Sequence, residues 1–352
     1  MNEKLKYVCS QAIAKYDNKY IAVDVSGNMY SYDIIENKTE LLNNLNSDNG
    51  SFICRDILIY QDKCLCTPMN TNKVIMLDLA DFTIVREYEF DSRMLFSLPM
   101  IKKEKYIYIM FSFSDYSLVR IDTENWNMEK LLNNDELVSI ANTEQSYLSL
   151  DWFIKNEIIM WAVYNTNKIM CYNILTKKCS IQIEVSTKYL LKASYGCKDT
   201  NKIICTLCHE DKVLLVDIVT KKEDIIRIGY EVYLVVWKNG KAYFIPEILD
   251  NMKVLDVENN CVSEICIDPG LAIHRLKVNN CYFKNQKIML LTELGIIIVD
   301  LITKQYEDCR FLKDNDVITA VKKELLNSKK KNIILDEKNV PLESFIQYLC
   351  EK

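Results

Sequence analysis

The chain has 352 residues, of which 49% are hydrophobic and 26% charged, a balance that excludes a disordered polymer and supplies enough apolar surface for a large core. Its formal net charge of -5 excludes a global basic field for a phosphate backbone, so nucleic acid is not an expected partner. Only 7 glycines are present, so the turns must lean on Asn, Asp and Lys.

The first ten residues, Met1 to Ser10, lack the continuous apolar stretch of a secretory signal, and no run of 18 or more apolar residues follows. A cytoplasmic protein without a membrane span is the expectation. Fourteen cysteines are scattered through apolar runs such as Lys63-Cys64-Leu65-Cys66 and Ile203-Ile204-Cys205, and they read as small buried hydrophobes in a chain that needs no disulfides.

Along the chain one pattern recurs: an apolar run, a short polar turn, and a second apolar run that closes on Asp or its amide. The closing residues are Asp33, Asp78, Asp122, Asn173, Asp217, Asp256 and Asp300. Their spacings are 45, 44, 51, 44, 39 and 44 residues. A second marker runs in step, a tight polar turn that usually ends in lysine, at Lys19, Lys63, Lys105, Lys202, Lys241 and Lys287, with Glu157 in its place in the fourth copy. A period near 44 accommodates four strands of about 5 to 6 residues and four turns of about 4 to 6. The apolar runs are short and rich in Val, Ile, Tyr and Cys, which favours strand over helix.

These features predict an all-β fold, a seven-bladed β-propeller over residues 1–312, followed by a helical tail over 313–352. Residues 5–12 are expected to form the first inner strand and 305–312 the last outer one, so that the ring closes without a strand exchanged between its ends. Nearly continuous apolar runs such as Val213 to Val216 should be covered on both faces, and the charged segment after each closing residue should lie outermost. In the tail, Asp314-Asn315 can cap a helix bearing Val317, Ile318, Val321 and Leu325, and Pro341 can open a second with Leu342, Phe345, Ile346 and Leu349 in register.

The repeat resembles β-propellers generally, and is loosely similar to uncharacterised propeller-like proteins of low-GC bacteria, over about residues 5–312. It shows neither the Gly-His and Trp-Asp pairs of WD repeats, nor the paired glycines of kelch repeats, nor the Ser-x-Asp-x-Gly-x-x-Trp box of sialidases. The resemblance therefore implies an architecture and transfers no functional residue.

Cys205-Thr206-Leu207-Cys208-His209 spells a c-type haem attachment pattern. In the repeat it falls on the second strand of the fifth blade, with His209 in a hairpin turn, and thiols three apart on a strand face opposite ways. With His209 and His274 as the only histidines and no second Cys-x-x-Cys pair, neither a metal nor a cofactor is expected. No catalytic residue is assigned, although Asp56, Asp151 and Asp199 fall on or near inner strands, where carboxylate chemistry would be placed.

The lysine-ended turns should share one rim and could form a ring of positive charge facing an anion. The opposite rim carries amide and hydroxyl turns with aromatic neighbours: Asn70, Asn72, Phe113, Tyr116, Tyr164, Asn165 and His209. With Phe345, Ile346 and Leu349 of the tail, these are the candidate contacts for a protein or peptide partner. The leading functional reading is a non-catalytic interaction scaffold presenting propeller rims and a helical tail. The alternatives are a propeller enzyme, a hydrolase or lyase, and a small-ligand or carbohydrate sensor that stacks its ligand on Trp152, Trp161 or Trp237.

Overall fold

A computed structural model describes residues 10–24, 26–33, 35–36, 38–46, 52–91, 96–112, 114–143, 148–186, 188, 190–196, 200–266, 278–284, 286–292, 295–303 and 305–310. These form seven sheets, each an antiparallel meander of consecutive strands, so every blade is built from one stretch of chain. The inner strands are Ser10–Tyr16, Cys54–Tyr60, Leu148–Lys155, Leu191–Gly196, Val232–Lys238 and Val278–Lys284, together with the broken pair Phe96–Ser97 and Ile101–Lys103 of the third blade. The last outer strand is Tyr306–Arg310. The helices expected in 313–352, with Phe345, Ile346 and Leu349, lie outside the described residues.

The ring closes by face packing. Seven buried clusters fill the spaces between neighbouring blades, and seven blades in an open row would make only six. The closing cluster joins Ile13, Tyr20, Ala22, Tyr30 and Tyr32 of the first blade to Met289, Leu291 and Ile296 of the last. Both terminal blades are complete four-strand meanders, so no strand is exchanged. The first inner strand is Ser10–Tyr16, a few residues later than 5–12, because Tyr16 and Lys19 pair across its turn.

Burial is deepest in the middle strands of a blade and least in the outer one. In the second blade, Lys63–Pro68 is buried at every position after Lys63, whereas in the outer strand Ile84–Glu89 only Tyr88 is buried. A strand covered on both faces needs apolar side chains throughout, and the outermost strand does not.

The seven closing residues have one structural task. The Oδ1 of Asp33, Asp78, Asp122, Asn173, Asp217, Asp256 and Asp300 accepts the backbone N–H two residues on, at 2.8 to 3.2 Å, and so fixes the hairpin between third and outer strands. Backbone N–H bonds hold the carboxyls of Asp78, Asp122, Asp217, Asp256 and Asp300 below the usual range, chiefly the N–H two residues on at Asp78 and Asp122 and the N–H three residues on at Asp217, Asp256 and Asp300. The scarcity of glycine is met, among the described residues, by thirteen other residues at positive φ, against three glycines. Asp and Asn are joined there by Phe82, Trp126 and His209.

The long spacing of 51 residues contains the helix Asn134–Ala141, which the sequence pattern does not announce. Asn133 caps it by accepting Asp135 N–H at 2.7 Å, Asn142 ends it at φ +50°, and Leu137 and Ala141 seat it on the core between blades three and four.

Candidate functional site

Every inner strand is irregular near its start. The register slips between Ser10 and Ala12, Cys54 and Asp56, Leu148 and Trp152, Leu191 and Ala193, Val232 and Leu234, and Val278 and Asn280. In the third blade the strand breaks outright at Leu98-Pro99-Met100. A bulge adds a residue and re-aims its side chain, here beside the central axis.

The inner strands of blades two to seven line a cavity of about 340 Å³, open to solvent, and Arg55, Asp56, Asp151, Tyr195, Trp237 and Cys281 bring the polar atoms. Asp56 is buried and spent on backbone: Oδ1 accepts Ile57 N–H at 2.9 Å and Oδ2 accepts Met100 N–H at 2.7 Å, tying blade two to blade three. Asp151 accepts Trp152 N–H at 2.7 Å. Burial pushes its carboxyl up to about 7, against the pull of that N–H and of the Arg55 charge and with the push of Asp56. Arg55 is 7% exposed and its Nε has no hydrogen-bond partner. Its guanidinium lies over the Phe96 ring, 5.8 Å from Cζ to centroid. A buried donor without a partner costs free energy, which the nearby Asp151 carboxyl offsets only in part.

The aromatic wall is built between blades. Trp152 Nε1 donates to Pro99 O at 2.7 Å, Trp237 Nε1 to Tyr195 O at 3.0 Å, and the Tyr195 hydroxyl to Tyr233 O at 3.2 Å. Of the three tryptophans considered as platforms, Trp161 and Trp152 are buried and Trp237 alone is half-buried against the cavity. Gly196 makes the wall possible, since a Cβ there would stand 2.1 Å from the Phe153 ring. Burial pushes the Tyr195 hydroxyl and the Cys281 thiol up, so neither is an activated nucleophile. The arrangement can hold a ligand and exchange one proton at Asp151.

Asp56 and Asp151, picked from sequence, thus meet at one cavity, while Asp199 lies outside the described residues. Arg55 was missed, although an arginine beside an aspartate at the head of an apolar inner strand was a signal to follow.

The rim residues picked from sequence act within their own loops. Asn70 Oδ1 accepts Ile53 N–H at 2.9 Å, and Asn72 Nδ2 donates to Phe90 O at 3.1 Å. Asn165 and His209 occupy left-handed turn positions, and the exposed His209 Nδ1 lies 4.0 Å from Glu231. The Lys130 ammonium sits 4.3 Å above the Tyr116 ring, and burial pushes the Tyr164 hydroxyl up. Phe113 lies outside the described residues. In the haem-like pattern, Cys205 is buried between blades four and five while Cys208 Sγ donates to Leu191 O at 3.4 Å. Among the described residues no group of three or more His, Cys, Asp or Glu could hold a metal ion.

On the other rim, the expected ring of positive charge is matched by a ring of negative charge. Strand register sets Lys19, Lys63, Lys202, Lys241 and Lys287 opposite the closing aspartates of their blades. Lys63 Nζ lies 2.9 Å from Asp78, and Lys105 Nζ lies 3.1 Å from Asp122 and 3.0 Å from Glu124. Between these pairs stand aliphatic side chains that the sequence pattern does not flag. Ile35, Leu175, Val219 and Ile302 occupy the same hairpin position, two residues after the closing residue, and are 80%, 75%, 66% and 72% exposed.

The fold and this pair of surfaces define the chain as a seven-bladed β-propeller with an axial cavity. No family model matches the sequence, and a search of curated proteins finds no match. Solved structures match along most of its length. The computationally designed protein Ika8 is 13% identical with a TM-score of 0.59, and the match covers 86% of each chain. A chain of the mitotic checkpoint complex is 10% identical at 0.57, covering 82% of this chain and 85% of that one. BamB from Moraxella catarrhalis is 11% identical at 0.54, covering 82% and 80%. These likenesses concern the fold. No helix among the described residues is long and apolar enough to cross a membrane.

Proposed function

We propose that the protein is a non-catalytic scaffold that docks a protein partner on the rim formed by the hairpins between third and outer strands. One observation carries this reading: Ile35, Leu175, Val219 and Ile302 stand exposed at equivalent positions in blades one, four, five and seven. Each has its own N–H fixed by the closing Asp or Asn, so the aliphatic side chain is presented from a backbone that is already ordered. Preordered apolar contacts lower the entropy cost of association. The blades involved form two neighbouring pairs, seven with one and four with five, on opposite sides of the ring. The flanking Lys–Asp pairs supply a polar rim without a net field.

The opposite rim ranks second as a contact surface, because the Asn70 and Asn72 amides are already engaged. Residues 313–352, with Phe345, Ile346 and Leu349, are proposed as an auxiliary contact.

The test is crosslinking and affinity capture with the full chain, with a variant carrying Ile35→Lys, Leu175→Lys, Val219→Lys and Ile302→Lys, and with a chain lacking 313–352. Exposed substitutions change stability by about 0.5 kcal/mol or less each, so the fourfold variant should keep its melting temperature within a few degrees. It should lose partners that the unmodified chain retains. An identical set of partners from all three proteins would refute the scaffold reading.

A further inference from the structure

We propose that the axial cavity binds a small organic monocarboxylate, with the Arg55 guanidinium as the anion anchor and the Trp237 ring as the platform for its apolar body. This site is separate from the hairpin rim and stands or falls independently of it.

Arg55 is the reason to expect a ligand. The bulge between Cys54 and Asp56 turns it toward the cavity, where it is 7% exposed and its Nε is unbonded. Its aromatic neighbour Phe96 stabilises a cation and offers no acceptor for the N–H donors. A planar fork of donors in a largely dry wall matches the two oxygens of a carboxylate.

The surrounding charges select among anions. Asp56 and Asp151 share the wall with Arg55, so with Asp151 protonated a bound monocarboxylate leaves one net negative charge in the cavity, whereas a dianionic phosphate would leave two. Asp56 has both oxygens on backbone N–H groups, which hold its carboxyl in place beside Arg55. Size selects further. A volume of about 340 Å³ is at the small end of the roughly 300–1,000 Å³ typical of ligand pockets, and suits a body of one ring. Met100, Phe153 and Val235 make the remainder of the wall apolar, and Trp237 is its half-buried tryptophan.

Binding should take up a proton. The titratable and charged groups around Asp151 are Arg55 and Asp56 of blade two, Tyr195 of blade five and Cys281 of blade seven. Of these only Arg55 favours the ionised form of Asp151, and a carboxylate seated on Arg55 cancels that effect. Protonated Asp151 then offers a donor to the ligand, so affinity rises as pH falls from 8 to 6.

The experiment titrates the full-length protein with benzoate and with benzamide, which keeps the ring and lacks the charge, following tryptophan fluorescence and heat. Benzoate should bind saturably, at least about tenfold tighter than benzamide, and tighter at pH 6 than at pH 8. Arg55→Met should weaken benzoate at least about tenfold, leave benzamide within about twofold, and change the melting temperature little, since it removes a buried cation whose Nε is unbonded. No saturation by benzoate up to about 10 mM would overturn the proposal. So would benzoate binding no tighter than benzamide, phenyl phosphate binding tighter than benzoate, or undiminished benzoate affinity in a folded Arg55→Met protein. If that variant does not fold, the comparison of benzoate with benzamide in the unmodified protein decides alone.

Discussion

Closure of the ring between its last and first blades can be measured with one leucine. Leu291 is buried between Met289 and the tyrosines of the first blade, and Leu65 is buried in the equivalent space between blades two and three. Truncating a fully buried leucine to alanine removes its transfer free energy and leaves a cavity, at a cost of about 2–5 kcal/mol. Unfolding entropy near 60 °C is about 2.1 cal/mol/K per residue, or about 0.6 kcal/mol/K for a ring of about 300 residues. Leu291→Ala should therefore lower the melting temperature by about 3–8 °C, the same range as Leu65→Ala. Calorimetry of both variants at one pH makes the comparison. A loss below about 1 °C for Leu291→Ala beside a full loss for Leu65→Ala would show that the closing interface is not part of the cooperative unit, and the closed ring would be refuted.

Acid should act on the hairpin aspartates. Their folded carboxyls are held low, so their contribution is fully present above the unfolded value of about 3.9 and is lost as pH falls through the folded values. Asp217→Asn should leave stability at pH 7 nearly unchanged, as Asn173 does the same work with an amide, and should flatten the fall in melting temperature below about pH 4. Asp151 has the opposite sign, since its folded carboxyl is raised to about 7. Its contribution is greatest below the unfolded value and is lost as pH rises to about 7, at no more than about 1.4 kcal/mol per pH unit. Asp151→Asn should thus raise the melting temperature at pH 8 and change it little at pH 4, and equal effects at both would refute the raised carboxyl. Gly196→Ala should destabilise by about 1–3 kcal/mol through overpacking, because the Phe153 ring must leave its place against the backbone, and denaturant unfolding reads the loss. A neutral result there would mean the inner wall is loose.

The repeat was legible in the chain because it records a local event. An aspartate that caps the turn two residues on must recur wherever that turn recurs, and a lysine opening the second strand sits across from it by register. Middle strands covered on both faces must be mostly apolar, and outer ones need not be. Those three constraints suffice to count seven blades. The helix Asn134–Ala141 was hidden because its eight residues lie inside one long spacing and only Leu137 and Ala141 are buried.

The site was legible in part. Asp56 and Asp151 stood out as carboxylates on inner strands, and their strands do meet at the axis. Arg55 did not stand out, because its importance comes from what it lacks, a partner for a buried donor, and a missing contact leaves no trace in a sequence. The lysine ring lost its charge for a related reason: which carboxylate faces each ammonium is set by register, and register is decided by the turn and by the opposite strand together.

The sequence by itself determined the number of blades, the order of strands within them and the chemistry of their turns, since each is written in residues near one another along the chain. Only the tertiary structure decided how the ring closes, which carboxylates share a cavity, and which aliphatic side chains face water. Those depend on residues far apart along the chain being brought together, as Tyr20 and Met289 are at 3.9 Å across 269 positions, and separation along a chain carries no information about such meetings until the blades have packed.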